Sequence, residues 1–178
     1  MYGDFEATLK DIDGNIIRNV KINHSYLLPD ETMYYSGHAS VTGLLYGSAE
    51  FNVSVNEKDW KELSSDKSIK VSDYEISDLN KVVDRGGSVN FTGKVTNHTG
   101  VPHTGYKGFV IMKSAGKIVA FNEFMDFDTE LEDGQTKVFD AHSMSSGNAP
   151  TFDSFEAFCY PKIESTRLVD ELVKKESE

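Results

Sequence analysis

Acidic side chains recur at the end of one predicted strand, and carboxylate oxygens are the ligands that Ca²⁺ prefers. Strand alternation would place Asp126, Asp128 and Glu130 on one face. Apolar Phe127 and Leu131 would then lie on the other face. The segment lacks the glycine and the closing glutamate of an EF-hand loop, so the sequence predicts no dedicated metal site. Two alternatives stay open: the three carboxylates bind a cation, or they form a solvated face that discourages pairing at a sheet edge.

Histidine and cysteine are the other residue types with metal or nucleophile chemistry. His98 and His103 flank a turn that contains Pro102, but no third ligand is near them in sequence. We therefore expect both to be turn residues. Cys159, the one cysteine, falls on an inward strand position, which predicts a buried small hydrophobic residue.

Motifs for phosphate binding and acyl transfer are missing. The stretch Ala115-Gly116-Lys117 lacks the upstream glycine and the following Ser or Thr of a phosphate-binding loop. There is no Gly-x-Ser-x-Gly elbow. The sequence thus predicts no catalytic residues, no cofactor and no enzymatic activity.

The elements that carry these residues have the pattern of β-strands. Residues 51–56 and 89–95 alternate apolar and polar side chains with a period of two. Residues 109–112 and 118–121 flank a tight turn at Gly116. Strands at this spacing, joined by Gly, Asn and Asp turns, predict an all-β chain of immunoglobulin-like sandwiches.

An internal repeat sets the domain organisation. The turn and aliphatic pair that begin at Gly14 recur at Gly116, 102 residues later, and the offset reaches 104 for Phe51 and Phe155. We predict four segments: 1–56, an incomplete β-sandwich repeat; 57–66, a linker; 67–162, a complete immunoglobulin-like repeat; and 163–178, a C-terminal helix.

The two copies are unequal. Two predicted strands, 69–76 and 89–95, precede the hairpin of the second copy, whereas the first copy has room for one strand before Gly14. Either the chain is part of a longer protein, or another segment or subunit completes that sheet.

The C-terminal segment has an apolar stripe at helical spacing, formed by Leu168, Val169, Leu172 and Val173. These four residues are the candidate partner-binding residues. Such a short helix is marginal alone, so it docks either on its own sandwich or on a partner.

Composition narrows the function classes. The 178 residues carry 18 Lys and Arg against 29 Asp and Glu, a net charge of −11, which disfavours nucleic-acid binding. No apolar run approaches the roughly 20 residues of a membrane span. The first residues have no basic or apolar leader, so the protein is either not exported or has lost its signal.

Three motifs of the second copy together resemble the FxLYD family, namely Val89-x-Phe91-x-Gly93-x-Val95-x-Asn97, Gly116-Lys117-Ile118-Val119 and Leu131-x-Asp133-Gly134-Gln135-Thr136-x-x-Phe139. The resemblance covers residues 67–160 well and residues 2–56 in part. It implies small, tandem, immunoglobulin-like bacterial domains, extracellular or exposed on the cell envelope, without catalytic residues.

Three functions remain open. The first is a non-catalytic extracellular or cell-surface module for protein interaction or spacing. The second is an assembly subunit of a phage particle or surface appendage, completed by β-strand addition from a neighbouring chain. The third is an acidic inhibitor or decoy. The predicted partner is therefore another protein or a second copy of the chain, not nucleic acid.

Overall fold

The computed structural model describes residues 2–26, 32, 45–55, 69–143 and 150–161, and these form an all-β protein. The strands are β1 (Tyr2–Asp11), β2 (Ile16–Tyr26), β3 (Tyr46–Val55), β4 (Tyr74–Val83), β5 (Val89–Asn97), β6 (His103–Ser114), β7 (Lys117–Leu131), β8 (Thr136–Ser143) and β9 (Ser154–Pro161). The chain divides into two compact units, Met1–Glu62 (unit 1) and Leu63–Glu178 (unit 2). The predicted linker 57–66 and the predicted helix 163–178 lie outside the described residues.

Unit 1 contains a three-stranded antiparallel sheet in the order β2-β1-β3. The turn between β1 and β2 is organised by the Asp11 carboxylate, which accepts hydrogen bonds from the backbone N–H groups of Asp13 and Asn15 at 2.9 and 2.8 Å. Gly14 follows with a φ of +86°, a conformation that glycine adopts without strain. The hairpin predicted around Gly14 is confirmed.

Unit 2 contains six strands in the order β4-β5-β8-β7-β6-β9. Its two halves are joined across β7 and β8 by only two residue pairs, Asn122 with Ser143 and Glu123 with His142. The outermost strands, β4 and β9, also contact each other. The six-stranded sheet therefore curls almost into a closed barrel around one core, with β4-β5-β8 and β7-β6-β9 as its two halves.

The predicted strands of unit 2 are confirmed with one shift in position. The hairpin around Gly116 and the strand at 89–95 lie as expected. The opening strand, expected at 69–76, begins at Tyr74, because Val71–Asp73 form a 3-10 turn. The Asp73 carboxylate accepts a 2.7 Å hydrogen bond from the Lys70 N–H, which holds this turn in place.

Strand pairing corrects the offset of the repeat. Both sheets contain a hairpin flanked by a third strand, β2-β1-β3 and β7-β6-β9. Ala7 pairs with Phe51, and the residue 102 positions after Ala7, Phe109, pairs with Phe158. By strand register, Phe51 therefore corresponds to Phe158 and not to Phe155. Sequence identity between the two phenylalanines misplaced the third strand by three residues.

Two stacked aromatic rings lie at the centre of unit 2. Phe124 and Phe139 have ring centroids 3.8 Å apart and planes 12° apart. Each ring lies against a glycine on the paired strand, Phe124 against Gly108 and Phe139 against Gly93. The absence of a side chain at both glycines gives the rings room to stack in the core.

Candidate interaction surface

The acidic residues considered as a cation site, Asp126, Asp128 and Glu130, do not form a cluster of metal-ligating side chains. β7 contains extra residues relative to β6 between Asp126 and Glu130, so the simple alternation is broken. The Asp126 carboxylate instead accepts hydrogen bonds from the N–H groups of Asp128 and Thr129 at 3.1 and 3.0 Å. Burial alone would raise the pKa of Asp126, but hydrogen bonds from Thr129 and Asp128 lower it overall. Among the described residues, no three His, Cys, Asp or Glu side chains lie close enough together to hold a metal ion.

The two histidines around Pro102 have different surroundings. His98 is exposed, and its Nε2 lies 3.1 Å from a carboxylate oxygen of Glu75. His103 is fully buried at the start of β6, so its assignment as a turn residue is wrong. Its Nε2 lies 3.1 Å from the Tyr74 hydroxyl, and its Nδ1 lies 3.3 Å from the Val101 carbonyl. Burial lowers the pKa of His103, which favours the neutral ring in this core position.

Buried amides stabilise the loops of unit 2. The Asn97 side chain donates hydrogen bonds to the carbonyls of Val101 and Leu131 at 3.0 and 3.1 Å. It also accepts one from the Thr99 N–H at 2.9 Å. All of these partners are backbone groups in or beside loops. Asn97 therefore has a structural role.

Cys159 is fully buried in the core of unit 2, as predicted. Burial raises the pKa of its thiol well above the ordinary value, which disfavours the nucleophilic thiolate. The four candidate partner-binding residues, Leu168, Val169, Leu172 and Val173, lie outside the described residues.

The surface that stands out is in unit 1. Ala49, Phe51 and Val53 of β3 pair with Leu9, Ala7 and Phe5 of β1, so these side chains share one face of the sheet. The face is apolar across both strands. The central strand is shielded, because Ala7 is buried and its neighbours are partly buried. On β3, however, Phe51 is 72% exposed and Val53 is 57% exposed.

The opposite face of the same sheet is polar. Thr8 pairs with Glu50, and Glu6 pairs with Asn52. The Lys10 ammonium lies 2.5 Å from a Glu50 carboxylate oxygen. The sheet of unit 1 is thus amphipathic. Phe51 is exposed on a strand whose apolar and polar side chains lie on opposite faces.

More apolar side chains are exposed where the β1–β2 turn lies beside the start of β3. Asp11 pairs with Tyr46, which brings these segments together. Four large side chains here are more than half exposed, namely Ile12, Ile16, Leu45 and Tyr46. Exposed apolar residues therefore lie both along β3 and at its first end.

The outer edge of β3 is also available. Within the described ranges, β3 pairs with β1 on one side and with no strand on the other. Sequence reasoning found the strand and its alternation, but it did not single out Phe51 or Val53 as a contact surface. Nothing in the local sequence reports whether a second layer covers a strand.

Comparisons with known proteins give no counterpart: no family model, no curated protein and no solved structure matches the chain. The part of the chain that the structure describes contains no apolar helix of membrane-spanning length.

Proposed function

We propose that the chain is a non-catalytic protein-interaction module whose contact surface is the apolar face of unit 1 around Phe51 and Val53. The observation that carries this proposal is the exposure of an aromatic ring on an otherwise amphipathic sheet. A soluble protein that leaves such a side chain in water loses the free energy of burying it, about 1.5–3 kcal/mol for a Phe. Exposed apolar surface of this kind is typical of sites that bind another protein.

We further propose that unit 2 is an immunoglobulin-like sandwich of the FxLYD type, and that unit 1 is an incomplete copy of it. The strand order supports this proposal, because β4-β5-β8 and β7-β6-β9 match three strands from each sheet of the immunoglobulin sandwich. The stacked pair Phe124 and Phe139 fills the space between the two layers. An extracellular or cell-envelope location follows from the family and belongs to the same proposal.

Photochemical cross-linking tests the contact surface. A benzophenone amino acid is placed at Phe51 and, as the matched control, at Asn52, which lies on the polar face of the same strand. Both variants are irradiated as purified protein and in an extract of the cells that make the protein. We expect covalent protein adducts from position 51 and few from position 52. Equal or absent adducts at the two positions would refute the proposal.

A second candidate function is that of an assembly subunit joined to its neighbour by strand addition. The specific observation that favours it is the unpaired outer edge of β3 among the described residues. An open edge offers backbone N–H and C=O groups to a strand from another chain.

A further inference from the structure

We propose that two copies of this chain associate through β3, whose outer edges pair antiparallel about a two-fold axis at Phe51. This inference rests on the proposed function, because it names the partner of the same surface. The pairing would join two three-stranded sheets into one six-stranded sheet with the apolar faces of both copies on the same side.

The residues of β3 lack the side chains that usually prevent such pairing. Natural edge strands are protected by lysines, prolines or inward-pointing charges. β3 contains no lysine and no proline, and its one charged residue, Glu50, lies on the polar face. The opposite edge strand of the same sheet, β2, carries Arg18 and Lys21. The two edges of unit 1 therefore differ, and β3 is the one suited to accept a strand.

The sequence of β3 matches itself in one register better than in its neighbours. With Phe51 opposite Phe51 of the second copy, Ala49 faces Val53 and Glu50 faces Asn52. Apolar side chains then meet apolar ones, and an amide meets the carboxylate. Moving the axis by one residue to Glu50 would place two like charges opposite each other, which is destabilising.

Moving the axis the other way, to Asn52, would move the two Phe51 side chains out of direct opposition. Direct aromatic pairs across antiparallel strands are stabilising. The Phe51-centred register creates one such pair, at the most exposed side chain of the strand. The same register leaves Ser48 opposite Ser54, which adds no charge conflict.

Charge makes a distinctive prediction for this dimer. Each copy carries a net charge of −11, so the two copies repel each other at long range. Salt screens this repulsion, with a Debye length of about 30 Å at 0.01 M and about 8 Å at 0.15 M. Self-association through an apolar edge should therefore strengthen as salt is added. Capture of a basic partner by an acidic decoy would weaken instead.

Sedimentation equilibrium of the full chain, from low micromolar to several hundred micromolar, tests the association. We expect a saturating monomer–dimer equilibrium that tightens with salt. Replacement of Phe51 by Gln should raise the dimer dissociation constant by about tenfold or more, because the contact between the two rings across the new strand pair is lost. Phe51→Leu should retain most of the affinity.

Val138→Gln is the matched control. Val138 of unit 2 is 70% exposed, a fraction similar to that of Phe51, and it receives the same polar side chain. It should leave the dissociation constant unchanged. An equal loss in the two variants would overturn the assignment to β3. So would growth into open-ended oligomers, which would indicate head-to-tail pairing of β2 with β3.

Disulfide trapping tests the register. In the double variant Ala49→Cys, Val53→Cys, the thiol at position 49 of one copy lies opposite the thiol at position 53 of the other. The Cα separation of such a pair is suited to a disulfide. The two thiols of one chain are four residues apart on a strand, about 13 Å, and cannot pair with each other. Native Cys159 is buried and does not compete.

We expect mild oxidation to give a covalent dimer from the double variant and little from either single variant. Absence of the covalent dimer in a chain that still dimerises would overturn the Phe51 axis. A chain that stays monomeric at every concentration and salt level would overturn self-association. If position 51 nevertheless cross-links to another protein, the proposed function survives and only this inference fails.

Discussion

Substitution of Gly108 by Ala gives the sharpest test of the core of unit 2. A Cβ at this position would lie 2.1 Å from Cζ of Phe124 and 2.4 Å from the carbonyl oxygen of Phe158. Both distances are far below any real van der Waals contact. One obstacle is an aromatic ring that is itself stacked on Phe139, and the other is backbone of β9. Neither the ring nor the β9 backbone can move without disturbing the packing of the core.

The expected loss follows from how much each obstacle can yield. Overpacking a core typically costs about 1–3 kcal/mol, and occasionally more. Gly93→Ala should fall within that range, because its Cβ would meet only the Phe139 ring, at 2.6 Å. Gly108→Ala should cost about 3 kcal/mol or more, since its Cβ would meet a main-chain carbonyl oxygen as well as the ring. The order of the two variants is the firmer part of the prediction.

Urea unfolding of the full chain, followed by near-ultraviolet circular dichroism, measures these losses. Gly86→Ala is the matched control, because its Cβ would meet only a carboxylate oxygen of Asp84 at 3.3 Å. That variant should stay within about 0.5 kcal/mol of the parent. If Gly108→Ala is no less stable than Gly86→Ala, the stacked aromatic centre is not packed as described.

Two further predictions concern the buried polar groups of unit 2. Because burial lowers the pKa of His103 below 6.5, the folded state binds fewer protons than the unfolded state, and stability should fall as the pH drops below about 6.5. The urea midpoint should therefore decrease more between about pH 7.5 and about pH 5.5 in the parent than in His103→Gln, and equal decreases would contradict this. Asn97→Ala removes the two hydrogen bonds that the buried amide donates to the carbonyls of Val101 and Leu131, and it should cost about 1–3 kcal/mol of unfolding free energy. A loss as small as that of a control substitution at an exposed asparagine, Asn19→Ala, would show that the Asn97 bonds add little.

Local patterns predicted the strands and hairpins because those features depend on near neighbours. Glycine at Gly14 and Gly116 permits the left-handed conformation that each turn requires, and the flanking apolar residues alternate. The start of β4 was misplaced because residues 69–72 alternate apolar and polar side chains as a strand does. Their conformation is decided instead by the Asp73 carboxylate reaching back to the Lys70 backbone.

The surroundings of the candidate site residues could not be predicted, because they depend on distant segments. His103 is buried by contact with Tyr74, 29 residues earlier in the chain. The acidic residues of β7 fail to converge because the strand contains extra residues relative to β6, which no alternation pattern reports. Cys159 is buried as predicted, although the repeat offset that placed it on an inward face differs from the strand register by three residues.

The same arrangement of three strands has opposite surroundings in the two units, and this contrast accounts for the candidate surface. In unit 2, the central strand β6 is buried on both faces, with Val110 in the core and Phe109 beneath its neighbouring aromatic rings. By strand register, the Phe51 face of unit 1 corresponds to the Phe109 face of unit 2 and not to the Val110 face that packs into the core. Phe109 is buried, whereas Phe51 remains in water. A three-stranded sheet with one apolar face is near the lower limit of independent stability. The proposed pairing across β3 would double the number of strands and bring the two Phe51 rings into contact, so the edge that permits assembly would also extend the sheet that is too small alone.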